Sequence, residues 1–139
     1  MRNKPVFVFD TNTFVSMALF KGSPVRFALQ KAEALGKVVL SAEILVELGD
    51  VLLRAKFDRY LSVEERLEYI KRIERRYSIM PITANPVRVC RDAMDNHLLE
   101  LALSINASAI VTGDDDLLVL NPFQGIPILN PADFISMSF

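Results

Sequence analysis

Val6-Phe7-Val8-Phe9-Asp10-Thr11-Asn12 is the stretch from which the fold can be read. Four apolar residues, two β-branched and two aromatic, describe a short strand buried on both faces, and they stop at an acid followed by two small polar residues. Such a strand belongs inside a parallel sheet, and open parallel sheets bind ligands just beyond the carboxyl ends of their strands. Asp10 therefore stands where this kind of fold places its chemistry. The later acids are judged by whether the topology brings them to it.

Outward from that strand the chain alternates. Thr13 to Phe20 reads as a short helix, broken at Lys21-Gly22-Ser23-Pro24, where Ser before Pro is a cap and first-turn signature for a second helix to about Leu35. Gly36 closes that helix, and Lys37-Val38-Val39-Leu40 is the next strand. Ser41 caps a helix from Ala42 to about Ala55. Ser62-Val63-Glu64-Glu65 is a capping box, opening a helix to about Tyr77 with Leu67, Ile70, Ile73 and Tyr77 at core spacing. Arg66, Lys71, Arg72, Arg75 and Arg76 make its other face. A strand from Ser78 to Ile82, a loop holding Pro86, a helix from Asp92 to Asn106 and a strand from Ser108 to Thr112 follow. A brief strand from Ile126 to Leu129 and a helix from Pro131 complete the chain. The alternation implies parallel strands with helical crossovers, an α/β fold of one domain over residues 1–139.

Bulk properties narrow the class. With 139 residues and 51% hydrophobic content the chain can bury a sizeable core without disulfides or structural metal. Its single cysteine, Cys90, has no partner for a bridge or a zinc site, which fits a reducing cytoplasm. The segment Met1-Arg2-Asn3-Lys4-Pro5 is basic, but the apolar run after it stops at Asp10 before a secretory h-region forms. No stretch is long and uncharged enough to span a bilayer, so the expectation is a cytoplasmic protein with no membrane partner. The net charge of -1 is unevenly placed: residues 54–91 hold ten Lys and Arg against five acids, and the remainder holds six against twelve. A basic middle beside an acidic remainder suits a nuclease that holds phosphates with one part and cations with the other, although solvated helix faces give the same statistic.

Several acids are candidates to meet Asp10. Asp114 follows the strand ending at Thr112 and Gly113, so parallel neighbours place it at the same sheet edge; Asp116 lies on a short helix that can turn it either way. In the helix from Asp92, residues Asn96, His97, Glu100 and Ser104 share a polar face, while Asp95 falls inside the apolar arc of Leu98, Leu99 and Ala102. An acid there is buried or at a cleft and needs a partner. His97 is turned from Asp95 and reads as a solvated surface residue, so histidine-based acid/base and triad chemistry lose support. Glu43, Glu47, Asp50 and Arg54 form one stripe on the helix after Ser41, either an exposed stripe or a polar strip lining a site. Two like charges about 4 Å apart repel by roughly 4 kcal/mol at an effective dielectric near 20, so converging acids need a cation. Oxygen ligands without His or Cys select hard ions, Mg2+ or Mn2+.

These residues resemble the PIN domain nucleases, and within them the bacterial and archaeal group described as toxin components of toxin-antitoxin systems. The resemblance rests on Phe9-Asp10-Thr11-Asn12, on Ser41-Ala42-Glu43-Ile44-Leu45-Val46-Glu47-Leu48, on Arg91-Asp92 with Asp95-Asn96 and Leu99-Glu100, and on Val111-Thr112-Gly113-Asp114 with Asp116-Leu117-Leu118. It covers nearly the whole chain, and its segments, each short, occur in the family's order. It implies a three-layer α/β/α fold with a small, mostly parallel sheet, and an acidic quartet of Asp10, Glu47, Asp95 and Asp114. It further implies Asp116 beside Asp10, Asp95 and Asp114 as a metal ligand, with Asn12 and Thr112 in support. The implied activity is endonucleolytic cleavage of single-stranded RNA with Mg2+ or Mn2+, and the implied partners are an antitoxin protein and a second copy of the chain as a homodimer. Arg54, Lys56 and Arg59 are the basic residues read as holding RNA phosphates. Two other classes compete: a phosphoacceptor receiver, which the absence of a lysine in Ile126-Pro127-Ile128-Leu129-Asn130 disfavours, and a catalytically silent scaffold that binds metal, RNA or a protein partner.

Overall fold

Val6–Phe9 forms strand β1, with Phe7, Val8 and Phe9 wholly buried. The structure, a computed structural model, describes residues 4–139, so Met1-Arg2-Asn3 of the basic segment fall outside the described residues. β1 is the centre of a five-stranded sheet with β2 (Lys37–Leu40), β3 (Ser78–Ile79), β4 (Ala109–Val111) and β5 (Ile128–Leu129), in the spatial order β3-β2-β1-β4-β5. Every neighbouring pair is parallel. Helices α1 (Thr11–Leu19), α2 (Val25–Leu35), α3 (Ala42–Leu52), α4 (Val63–Arg76), α5 (Ala93–Ile105), α6 (Asp115–Leu118) and α7 (Pro131–Ser136) flank the sheet, giving the three-layer α/β/α arrangement. The order of strands reverses between β1 and β4. That junction is the topological switch point, where an open α/β sheet leaves a crevice.

The core is aromatic at its centre. Phe7 and Phe9 each meet Phe134 of α7 edge to face, with ring centroids 5.1 and 5.9 Å apart, a geometry worth about 0.5–1.5 kcal/mol per pair beyond burial. Lys31 of α2 fixes the end of α7 by donating from Nζ to the carbonyls of Phe134 (2.8 Å), Ile135 (2.9 Å) and Met137. These acceptors are the orphan carbonyls of a helix terminus. Gly36 stands where β1 begins: its φ of -170° needs no glycine, but a Cβ there would lie 1.9 Å from the Pro5 carbonyl oxygen. Close approach between chain segments requires the glycine.

Several boundaries differ from those the sequence suggests. β3 stops at Ile79 instead of Ile82, since Met80 N already reaches the carbonyl of Leu40, where β2 ends and Ser41 caps α3. β5 begins at Ile128, because Ile126 closes a two-residue bridge with Phe123 and Pro127 follows. β4 is shorter by a residue at each end. Pro24 itself occupies the cap position of α2, with the Ser23 hydroxyl accepting from Val25 N at 3.3 Å. α1 starts two residues early because Asp10 caps it, and α3 ends at Leu52, followed by a 3-10 turn at Ala55–Phe57.

The largest departure is on α4. The spacing assigns Leu67 to the core and Arg66 to the surface, yet Leu67 is 42% exposed and Arg66 is completely buried. Ile73 and Tyr77 face inward as the spacing predicts, but Arg66 and Tyr69 are buried in place of Leu67, and Arg66 gains four acceptors: the carbonyls of Leu52 (3.0 Å), Arg54 (3.2 Å) and Ser62 (3.3 Å), and Asp58 Oδ1 (2.6 Å). The guanidinium thereby satisfies the terminal carbonyls of α3 and folds the 53–62 segment around itself. Replacing Arg66 by Met leaves the buried Leu52 carbonyl without a donor and Asp58 without its counter-charge, and should lower stability by about 2–4 kcal/mol in a urea titration. Leu67→Ala should cost less than about 1 kcal/mol in the same assay. Equal losses would show that Arg66 does not clamp the segment.

Candidate active site

Asp10 closes β1 and opens α1. Its backbone N–H donates to Val111 of β4 at 3.1 Å, continuing the ladder, and its Oδ1 accepts from Thr13 N at 2.9 Å as the cap of α1. Oδ2 accepts from the hydroxyl of Thr112, which is wholly buried at the end of β4 and also accepts from Asp114 N at 3.0 Å. Thr112 thus ties the carboxylate of one strand end to the backbone that carries the next acid. Asp10 is only 6% exposed, and burial raises its pKa to about 6, with the charges of Asp114 and Glu47 adding to the rise and the bonds from Thr112 and Thr13 opposing it.

Three further elements deliver acids to the same place. Glu47, half-buried on α3, accepts from the Thr11 hydroxyl at 2.7 Å, whereas Glu43 and Asp50 of its stripe are exposed. The stripe is therefore divided, with one acid drawn into the crevice by Thr11. Asp95 sits in the first turn of α5, and burial raises its pKa to about 7, followed in effect by the charges of Asp114, Asp92 and Asp10. Asp114 caps α6, accepting from Asp116 N at 2.9 Å. Asp10, Glu47, Asp95 and Asp114, with Asn12, line one cavity of about 50 Å³ whose apolar wall includes Ile44 and Leu98.

Other candidates lie elsewhere. Asp116 is not among the lining residues; its carboxylate is 63% exposed and stands 3.5 Å from Arg91. Arg54, Lys56 and Arg59 are exposed on the segment after α3 and do not line the cavity. Two residues that sequence reasoning passed over do line it: Thr11, and Asp92, whose carboxylate caps α5 through Met94 N at 2.9 Å. Asp92 carried a signal, an acid three residues before Asp95, but helix capping already accounted for it. His97 is half-buried instead of solvated, and its Nδ1 is buried without a partner among the described residues. The reason is the 83–91 loop, which folds back on the polar face of α5: Val87 N donates to Glu100 (2.8 Å), Thr83 N and Ala84 N to Ser104 (both 2.9 Å), and Cys90 N to Asn96 (2.9 Å). A face that is polar by periodicity is covered by backbone donors.

Among the described residues no three acidic, histidine or cysteine side chains are gathered closely enough to hold a metal ion in this arrangement. The donor set is nonetheless all oxygen and mutually repulsive, which fits a hard divalent cation that keeps several waters and takes only one or two carboxylates directly. No helix among the described residues is long and apolar enough to cross a membrane.

Fold and cavity together define a class: a parallel α/β protein with carboxylates converging at its switch point. The chain belongs to the PIN domain family, whose sequence profile matches residues 6–116. It is 35% identical over 118 residues to an uncharacterized protein of Methanocaldococcus jannaschii, a match covering 81% of this chain and 73% of that one. Its fold is similar to that of VapBC2 from Rickettsia felis, solved bound to a DNA fragment from its promoter, with a TM-score of 0.66 and 14% identity over 90% of this chain and 98% of that chain. It is similar also to PAE2754 from Pyrobaculum aerophilum, with a TM-score of 0.65 and 14% identity over 95% and 88%.

The raised pKa of Asp10 has a consequence for stability. An acid that titrates near 4 when unfolded and about 6 when folded holds its proton more tightly in the native state, so it costs the metal-free protein stability as pH rises from about 4 to 7, by on the order of 2–3 kcal/mol. Thermal melts of wild type and Asp10→Asn across that range should diverge, the amide variant losing less at the high end. Mn2+ at neutral pH should raise the wild-type melting temperature and leave the variant nearly unchanged. Parallel curves would show that Asp10 is not the strained group.

Proposed function

We propose that this PIN domain protein is a divalent-metal-dependent endoribonuclease that hydrolyses phosphodiester bonds of single-stranded RNA. The observation that carries the reading is the convergence of Asp10, Glu47, Asp95 and Asp114, from four separate elements, on one cavity at the switch point. A hard divalent ion, Mg2+ or Mn2+, supplies activation of water and neutralisation of charge on the scissile phosphate. Asp10, Asp95 and Asp114 would hold it in this reading, one or two of them directly and the rest through its waters. Asp10 is held immobile by Thr13 N and Thr112, so that one ligand is fixed before any ion arrives. Glu47, oriented by Thr11, orients or deprotonates the attacking water or completes a second metal site, and Asn12, which lines the same cavity, supports the ligands. Arg91 draws the Asp116 carboxylate outward, so Asp116 acts from the rim.

Arg54, Lys56 and Arg59 hold phosphates of the strand without reading its sequence. On the resemblance to the toxin group we extend the reading to an antitoxin protein as partner and to a homodimer in the cytoplasm; the fold shared with the Rickettsia felis VapBC2 chain supports the antitoxin alone.

Purified protein should cut a labelled single-stranded RNA in Mn2+ or Mg2+ and should stop on addition of EDTA. Asp10→Asn, Asp95→Asn and Asp114→Asn should each lower the rate by about a hundredfold or more with the fold intact. Cleavage surviving in Asp10→Asn protein would sink the assignment. Tight Mn2+ binding with no turnover on any nucleic acid would identify a silent scaffold instead.

A further inference from the structure

We propose that Phe20 and Tyr60 form a base-stacking platform for the single-stranded RNA, a subsite at the far end of α1 from the carboxylates; the inference rests on the nuclease reading above. Asp10 caps the start of α1 and Phe20 its end, and nine helical residues separate them by about 14 Å, the rise of roughly four stacked nucleotides. There Phe20 and Tyr60 pack edge to face with centroids 5.9 Å apart, yet Phe20 remains 51% and Tyr60 47% exposed. What sets them apart is that two adjacent rings are held against each other with faces left open to a planar group.

The chemistry around the rings favours a polyanion with planar groups. Arg59 lies over the Tyr60 ring at 5.4 Å, and Lys56 over Phe57 at 5.0 Å, with Phe57 in turn 6.5 Å from Tyr60. Lys21, next to Phe20, and Arg54 add positive charge, and among the described residues none of these four cations makes an ion pair. The one acid within 54–60, Asp58, is already bound by Arg66. The segment is also held in shape, since Arg66 bonds the carbonyls of Leu52 and Arg54 and the side chain of Asp58. Aromatic faces flanked by cations on a clamped segment are what sequence-tolerant binding of single strands uses.

The test uses full-length Asp10→Asn protein, which holds the strand uncut, and a fluorescein-labelled single-stranded RNA of about ten nucleotides, a length within the usual site sizes. A parallel strand carries abasic residues. Adding Phe20→Leu and Tyr60→Leu together should weaken binding of the normal strand by about ten- to a hundredfold and that of the abasic strand by less than about twofold, in protein that still melts cooperatively and well above the assay temperature. Lys56→Gln and Arg59→Gln should weaken both strands alike and reduce the salt slope by about 0.7 per charge. Unchanged affinity in the leucine variant, or equal loss on both strands, overturns the platform while leaving the nuclease reading in place. Unchanged RNA affinity with lost self-association on a sizing column would overturn it in favour of a contact between copies. A folded parent protein that binds no single-stranded RNA overturns both the platform and the reading on which it rests.

Discussion

The structure depends on a carboxylate held at the end of a wholly buried strand. Asp10 is covered by protein, accepts from Thr13 N and the Thr112 hydroxyl, and donates its own N–H to Val111. The bond from Thr13 starts α1, the bond from Thr112 joins β1 to β4, and the ladder bond extends the pairing of those two strands. One residue therefore fixes the first helix, the central strand pair and the floor of the crevice. Its desolvation is only partly offset by these bonds, so its pKa stays raised.

Around that fixed point the other acids are placed by different means. Glu47 is selected from its stripe by a single hydroxyl, Asp95 by the apolar arc that buries its part of α5, and Asp114 by the strand end it follows. Repulsion among them is part of why Asp95 holds its proton near neutrality. A rigid Asp10 beside the more exposed Asp95 and Asp114 combines one preset oxygen donor with others free to adjust.

Arg66 shows a second way of organising surface from within. A buried cation is tolerated here because it bonds the terminal Leu52 carbonyl of α3, which would otherwise lack a partner, and Asp58, which supplies its counter-charge. The segment it clamps carries the exposed basic and aromatic residues Arg54, Lys56, Arg59 and Tyr60. Order in that segment comes from α4 as well as from its own 3-10 turn.

Sequence by itself determined the buried strand ending at Asp10, the parallel alternation, the capping box at Ser62 and the membership of Asp95 in an apolar arc, because each is set by local spacing and by which residues water rejects. Tertiary structure alone decided what those local rules leave free. It left Ile73 and Tyr77 of α4 inward but buried Arg66 in place of Leu67, because the carbonyl ending α3 needed a donor more than Leu67 needed burial. It covered the polar face of α5 with the 83–91 loop, drew Glu47 but neither Glu43 nor Asp50 to the crevice, and brought Asp92 to its lining. Periodicity records which face of a helix is apolar; which polar groups meet a partner depends on segments distant in sequence, and only the folded chain brings them together.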